Sequence, residues 1–231
     1  MSLRTAALLA GIAYLMMMAT PFAEFYVFPK LIVPGNFVET AKNIFANEAL
    51  FRFGIAGYLV NFIGDMLAAW ALYILLKPVN ENLSLFTAWF RLVYTIVSLA
   101  ALLNLVTILQ LLHSAGGPAI FNADQTYAQV ELSLRAFRSG WSFAYIFFGI
   151  HLWLLGYLVY RSGYIPRIIG VLLIIAGSGW LMDNIRPYLF PGLTINFTII
   201  MVAGLGELVF MFWLLIRGSK IKETNQNQMS Q

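Results

Sequence analysis

Asp65, Arg91, His151 and Glu207 fall deep inside long apolar stretches of this sequence. Two carboxylates, a guanidinium and an imidazole can pair charges, pass a proton, or hold a small ligand by its own charge. Asp65 shows the problem most sharply. Between Arg52 and Lys77 in RFGIAGYLVNFIGDMLAAWALYILLK it is the one charged residue, and it sits beside the centre. An isolated charge at mid-membrane costs about 2.5 to 3.5 kcal/mol on insertion scales, so such a residue must face the bundle interior and pair, neutralise or meet water. With span centres set at the bilayer middle, Asp65, His151 and Glu207 come within about one helical turn of one plane. Arg91 enters its span about two turns from one end, within side-chain reach of Asp65. The expected roles are Asp65 as counter-charge to Arg91, Glu207 as the titrating carboxylate sharing a proton with His151, and His151 as a hydrogen-bond partner. Functionally these four would line a polar cavity for a small polar or amphiphilic ligand, or relay protons. Structurally they would be paired charges that fix helix register. Asn61, Asn104 and Gln110 read as inter-helix glue.

A second polar group gathers near span ends. Asp183, Asn184 and Arg186 close one apolar run, Glu24 closes another and Arg52 opens a third. They would pair across an outer vestibule or anchor the helices at the headgroups. Trp89, Trp141 and Trp213 lie near span ends, where indoles favour the interface, while Trp70, Trp153 and Trp180 read as packing residues.

The elements that must position these groups are membrane helices. The 231 residues are 61% hydrophobic and 10% charged, against roughly 25% charged in a soluble domain. An all-α, polytopic transmembrane bundle of about six spans follows, at about 5–23, 53–76, 84–110, 141–160, 166–184 and 193–216. The first is expected as an uncleaved helix, since no small-x-small site precedes Pro21 and Glu24. Two connections are short and basic, KPVNENL and RSGYIPR; two are long. In the long ones, Thr40–Arg52 and Asp124–Arg138, the latter after a GGP breaker, read as amphipathic helical segments capping the outer face. Residues 1–217 would form one domain, and 218–231 a disordered polar tail. Gly64-Asp65 and Gly206-Glu207 form a faint internal match. The short-loop bias of Lys and Arg puts both termini in the cytoplasm. The formal charge of +4 is therefore a topology signal, and no nucleic-acid partner is implied.

With no Cys and two His, thiolate chemistry is excluded and no metal site is expected. No phosphate-binding Gly loop with Lys, HExxH or GxSxG is present, and no cofactor is implied.

VETAKNIFANEALFRFGI, GDMLAAWALYILLKPVNENL, FRLVYTIV, FFGIHLWLLGYLVYRSGYIPRIIGVLLIIAG and GLGELVF, in that order, resemble the bacterial integral-membrane family called domain of unknown function 4386. The most specific piece is HLWLLGYLVYRSGYIPRIIG, and the resemblance reaches about Arg217. It implies a bacterial inner-membrane protein of several helices with no established activity. On the matching stretches it carries over Thr40, Asn43, Glu48, Arg52, Asp65, Arg91, His151, Arg161, Ser162 and Glu207 as polar positions without assigned roles. Asn36 stands where an acidic residue would be expected. The leading expectation is a protein, more a binder than an enzyme, that binds or moves a small ligand, with or without proton linkage, among membrane lipids. The alternatives are an intramembrane enzyme on a lipid or isoprenoid, with Arg91 holding its phosphate or carboxylate, and a structural or partner-binding subunit.

Overall fold

The computed structural model describes residues 1–114, 122–190, 192 and 197–221. Among them every regular element is helical: α1 (Leu3–Met17), α2 (Ala19–Phe22), a π-helical stretch (Ala23–Val27), a 3-10 turn (Phe28–Lys30), α3 (Phe37–Ala46), α4 (Glu48–Leu76), α5 (Glu81–Ser114), α6 (Ala123–Arg161), α7 (Arg167–Leu189), α8 (Phe197–Arg217) and a last 3-10 turn (Gly218–Lys220). Five stretches, Leu3–Lys30, Glu48–Leu76, Glu81–Leu111, Ala123–Arg161 and Arg167–Leu189, are long and apolar enough to cross a membrane. Helix α8 makes a sixth, its 21 residues interrupted by Glu207 alone among charges before Arg217. Their surfaces support the assignment: Ile63, Trp70, Ile96 and Leu103 are each more than half exposed, side chains that need lipid rather than water around them. The chain is a multi-pass membrane protein.

Side-chain caps set several helix starts. Asn36 accepts the Glu39 backbone N–H at 3.0 Å and donates to its carboxylate at 3.0 Å, which explains how an amide serves at a position where an acid was expected. Asn80 accepts the Leu83 N–H before α5. Asn122 and Gln125 cap α6 reciprocally, at 2.9 and 3.0 Å.

The structure corrects several sequence-based boundaries. The first helical run continues past residue 23 to Lys30 through the π-helical and 3-10 stretches, and Pro29 sits inside the final turn, where a missing N–H costs little. The Thr40–Arg52 segment is not one helix: α3 ends at Ala46, Asn47 leaves helical geometry, and α4 starts at Glu48. The amphipathic stretch from Asp124 and the fourth span form one 39-residue helix, α6. At about 58 Å it is nearly twice the hydrocarbon thickness. Thr126, Val130, Ser133, Leu134 and Phe137 line its buried early stripe. Helix α7 runs past residue 184 to Leu189, through Pro187. The GGP breaker, residues 193–196 of the last expected span and residues 222–231 of the expected tail lie outside the described residues.

The chain divides into two compact units. One comprises Met16–Ile63 and Tyr94–Ala144. Its core is aromatic: Tyr58 packs against Trp141 at 4.9 Å, Phe137 at 5.3 Å and Phe28 at 5.6 Å. The other comprises Met1–Leu15, Gly64–Val93 and Tyr145–Gln231, and it carries all four mid-span ionisable residues. Here α6 and α7 meet backbone to backbone: a Cβ on Gly156 would fall 2.6 Å from the Gly170 carbonyl oxygen, and a Cβ on Gly170 equally close to that of Gly156. Helix α8 seats on α7 through Gly206, where a Cβ would lie 2.6 Å from the Leu172 oxygen.

Candidate functional site

Arg91 on α5 is the centre of the site. It is fully buried, the largest side chain to be so among the described residues, and Asp65 beside it on α4 is 1% exposed. A buried guanidinium persists only when its donors are met. Both Nε and Nη2 donate to Asp65 Oδ1, at 3.1 and 2.8 Å. Nη1 donates to the Tyr14 hydroxyl of α1 at 3.2 Å and faces His151 Nε2 of α6 at 3.0 Å. The plane lies over the rings of Tyr14 and Phe148, at 5.0 and 5.6 Å, adding cation–π attraction in a dry setting.

These contacts fix the state of His151. Its Nδ1 lies 2.9 Å from the Thr87 carbonyl oxygen, which can only accept, so Nδ1 carries the proton. Nε2 faces a guanidinium N–H, which can only donate, so Nε2 presents its lone pair. The imidazole is neutral and spans a backbone carbonyl and a cation.

Glu207 stands differently. Its Oε1 accepts the Trp180 indole N–H at 2.9 Å. Among the described residues Oε2 has no bonded partner, and the side chain is only partly buried. By helical geometry Glu207 lies on the same arc of α8 as Phe210, Met211 and Leu214, all buried. That arc is set apart from the lipid-facing stripe of Leu205, Val209 and Phe212. Trp180 stacks on Tyr145 at 4.4 Å and 12°, and Phe148 meets Trp180 edge-on at 6.3 Å while stacking near His151 at 5.9 Å. An aromatic wall thus joins the sealed ion pair to the open carboxylate.

Sequence reasoning brought Asp65, Arg91 and His151 to one place, and they converge. It expected Glu207 to share a proton with His151; the carboxylate is instead bonded to Trp180, because both imidazole nitrogens are already engaged. It read Trp180 as packing and did not single out Tyr14; neutral aromatics cost nothing in lipid or core, so their polar handles leave no trace in the pattern. Trp141, expected at the interface, is buried in the aromatic core.

The second polar group resolves into separate contacts. In one unit Glu24 accepts from the Tyr58 hydroxyl, and Arg52 pairs with Glu48 at 2.5 Å, one turn away. In the other, Arg186 pairs with Asp183 at 3.5 Å, and Asn184 donates to the Trp180 carbonyl at 2.8 Å. No group of three or more metal-ligating side chains occurs among the described residues.

Chemically, the ion pair is closed. An anionic headgroup approaching Arg91 would have to displace Asp65, so the lipid-enzyme alternative loses its phosphate anchor. Glu207 is the group with capacity left over.

The model of the family described as Domain of unknown function (DUF4386) matches residues 9–218. An uncharacterized protein of Archaeoglobus fulgidus is 38% identical over 171 residues, covering 74% of this chain and 87% of that protein. That relative is archaeal, which widens the expected bacterial setting. No solved structure matches.

Proposed function

The chain belongs to the DUF4386 family, and from the geometry of its central cluster we propose that it binds, and moves or senses, a small polar or amphiphilic ligand within the membrane through Glu207. What supports this is one observation: Glu207 is held through a single oxygen by Trp180 and, among the described residues, keeps the other without a partner, on an arc shared with buried Phe210, Met211 and Leu214. A carboxylate at membrane depth with unspent capacity is costly unless it takes a proton or a ligand. The Asp65–Arg91–His151 cluster is the scaffold, tying α4, α5 and α6 together behind the site, with Tyr14 tying in α1.

Proton linkage is part of the proposal. The titratable groups whose charges bear on Glu207 are Tyr14 from α1, Asp65 from α4 and Arg91 from α5; the ion pair offsets itself and leaves Glu207 as the net acidic group. The membrane is proposed to be a prokaryotic cytoplasmic membrane with both termini inside, supported by the basic short loops KPVNENL and RSGYIPR. The test is uptake of an amphiphile panel into proteoliposomes with and without an imposed pH gradient. Accumulation driven by the gradient and lost in Glu207→Gln is expected; uptake that ignores both the gradient and the substitution would refute it.

A further inference from the structure

We propose that the ligand held at Glu207 is an organic cation, an amphiphile bearing an ammonium group; this rests on Glu207 being the ligand-contacting residue.

The charge balance comes first. Arg91 is matched by Asp65 at 2.8 Å, and His151 is neutral by its hydrogen bonds, so ionised Glu207 is one negative charge in excess. Among the described residues no basic side chain forms an ion pair with it. The compensating positive charge is then a proton when the site is empty and a cation when it is filled.

Donor chemistry narrows the class. A hard metal ion takes six or more oxygens, and one free carboxylate oxygen beside the Trp180 indole does not supply them. An ammonium needs one strong acceptor and aromatic surroundings that tolerate its apolar substituents. The indole N–H holds the carboxylate at Oε1, so Oε2 is presented in a fixed direction. An ammonium arriving there displaces the proton of the empty site, which gives exchange of one cation for one proton without net charge movement at Glu207. The proton leaves to solvent as the ammonium binds.

The experiment uses purified full-length protein in a neutral detergent and three probes of nearly equal shape: 2-phenylethylammonium, 2-phenylethanol and phenylacetate. Tryptophan fluorescence follows binding, since Trp180 touches the carboxylate. The cation is expected to bind saturably and about tenfold or more tighter than the other two, and Glu207→Gln is expected to remove that preference. Gln keeps an acceptor oxygen for Trp180, and the charge series on the parent protein does not depend on any variant. If the alcohol or the anion binds as tightly as the cation and Glu207→Gln weakens it, Glu207 remains the contact but the cation assignment is overturned. If no probe saturates, or Glu207→Gln changes nothing, both proposals fall. Native mass spectrometry separates the sources of ammonium. Phosphatidylethanolamine retained by the parent and lost from Glu207→Gln identifies a lipid headgroup; phenylethylammonium binding with no retained lipid identifies a free amine.

Discussion

At the scale of single residues, the site separates a saturated charge from an unsaturated one. Arg91 finds a carboxylate, a phenol, an imidazole and two ring faces, so each neighbour removed exposes part of a buried cation. Tyr14→Phe keeps the ring over the guanidinium but strips one acceptor, and a stability loss of about 1 to 3 kcal/mol by thermal melting in detergent is expected. A loss indistinguishable from zero would mean that Nη1 is satisfied by His151 alone. Outside the spans, the Tyr164 hydroxyl donates to the Leu75 carbonyl at 2.5 Å, and burial raises its pKa above the ordinary value. The neutral phenol is favoured in the folded state, so this stabilisation is complete below about pH 10 and fades as pH rises through the folded pKa. The alkaline decline of the melting temperature should accordingly be steeper in the parent than in Tyr164→Phe. The Asp65–Arg91 pairing was legible in the sequence because a lone charge at membrane depth carries a penalty that demands a partner. Tyr14 and Trp180 carry no such penalty, and so their hydrogen bonds to Arg91 and Glu207 were not.

At the scale of elements, close helix approach positions the site. Gly170 lies in the glycine-bearing run IIGVLLIIAGSGW, whose small residues permit close helix approach, but its partner was not legible: Gly156 lies in a separate apolar run, and only the three-dimensional pairing brings the two together. Any Cβ at Gly170 meets the Gly156 oxygen at 2.6 Å and the Tyr160 nitrogen at 2.7 Å, both backbone atoms that cannot rotate away. Gly170→Val should destabilise by about 1 to 3 kcal/mol or more. Gly204 has nothing within 4 Å of its Cβ position, and Gly204→Ala should gain about 0.5 to 1 kcal/mol from helix propensity. Equal melting temperatures for the two variants would mean that α6 and α7 do not pack through their glycines. The continuity of α6 was not legible for a related reason. Ser139-Gly140 looks like a boundary, yet a single Gly costs only about 1 kcal/mol in a helix, less than long-range packing supplies. Its lack of a side chain lets Ala101 approach to 2.8 Å of its Cβ position.

At the scale of the whole molecule, the long apolar spans were legible from composition and length alone, since nothing else accounts for so many uncharged runs of this size. Orientation rests on the basic loops, and the absence of native cysteine makes it directly measurable. Single cysteines at Asn82, in the first turn of α5 beside the short basic loop, and at Lys42, on α3, should label from opposite sides of a sealed vesicle, Asn82 from the cytoplasmic side. Labelling of both from one side would overturn the topology. The proposed division of labour, a sealed ion pair for the fold and a carboxylate with a free oxygen for the ligand, meets its most direct test in the thermal stability of Asp65→Asn and Glu207→Gln beside the parent. Asp65→Asn leaves a fully buried guanidinium without its counter-charge and should cost about 3 to 5 kcal/mol. Glu207→Gln keeps the Trp180 hydrogen bond and should cost less than about 1 kcal/mol. Equal losses, or a larger loss in Glu207→Gln, would contradict the division.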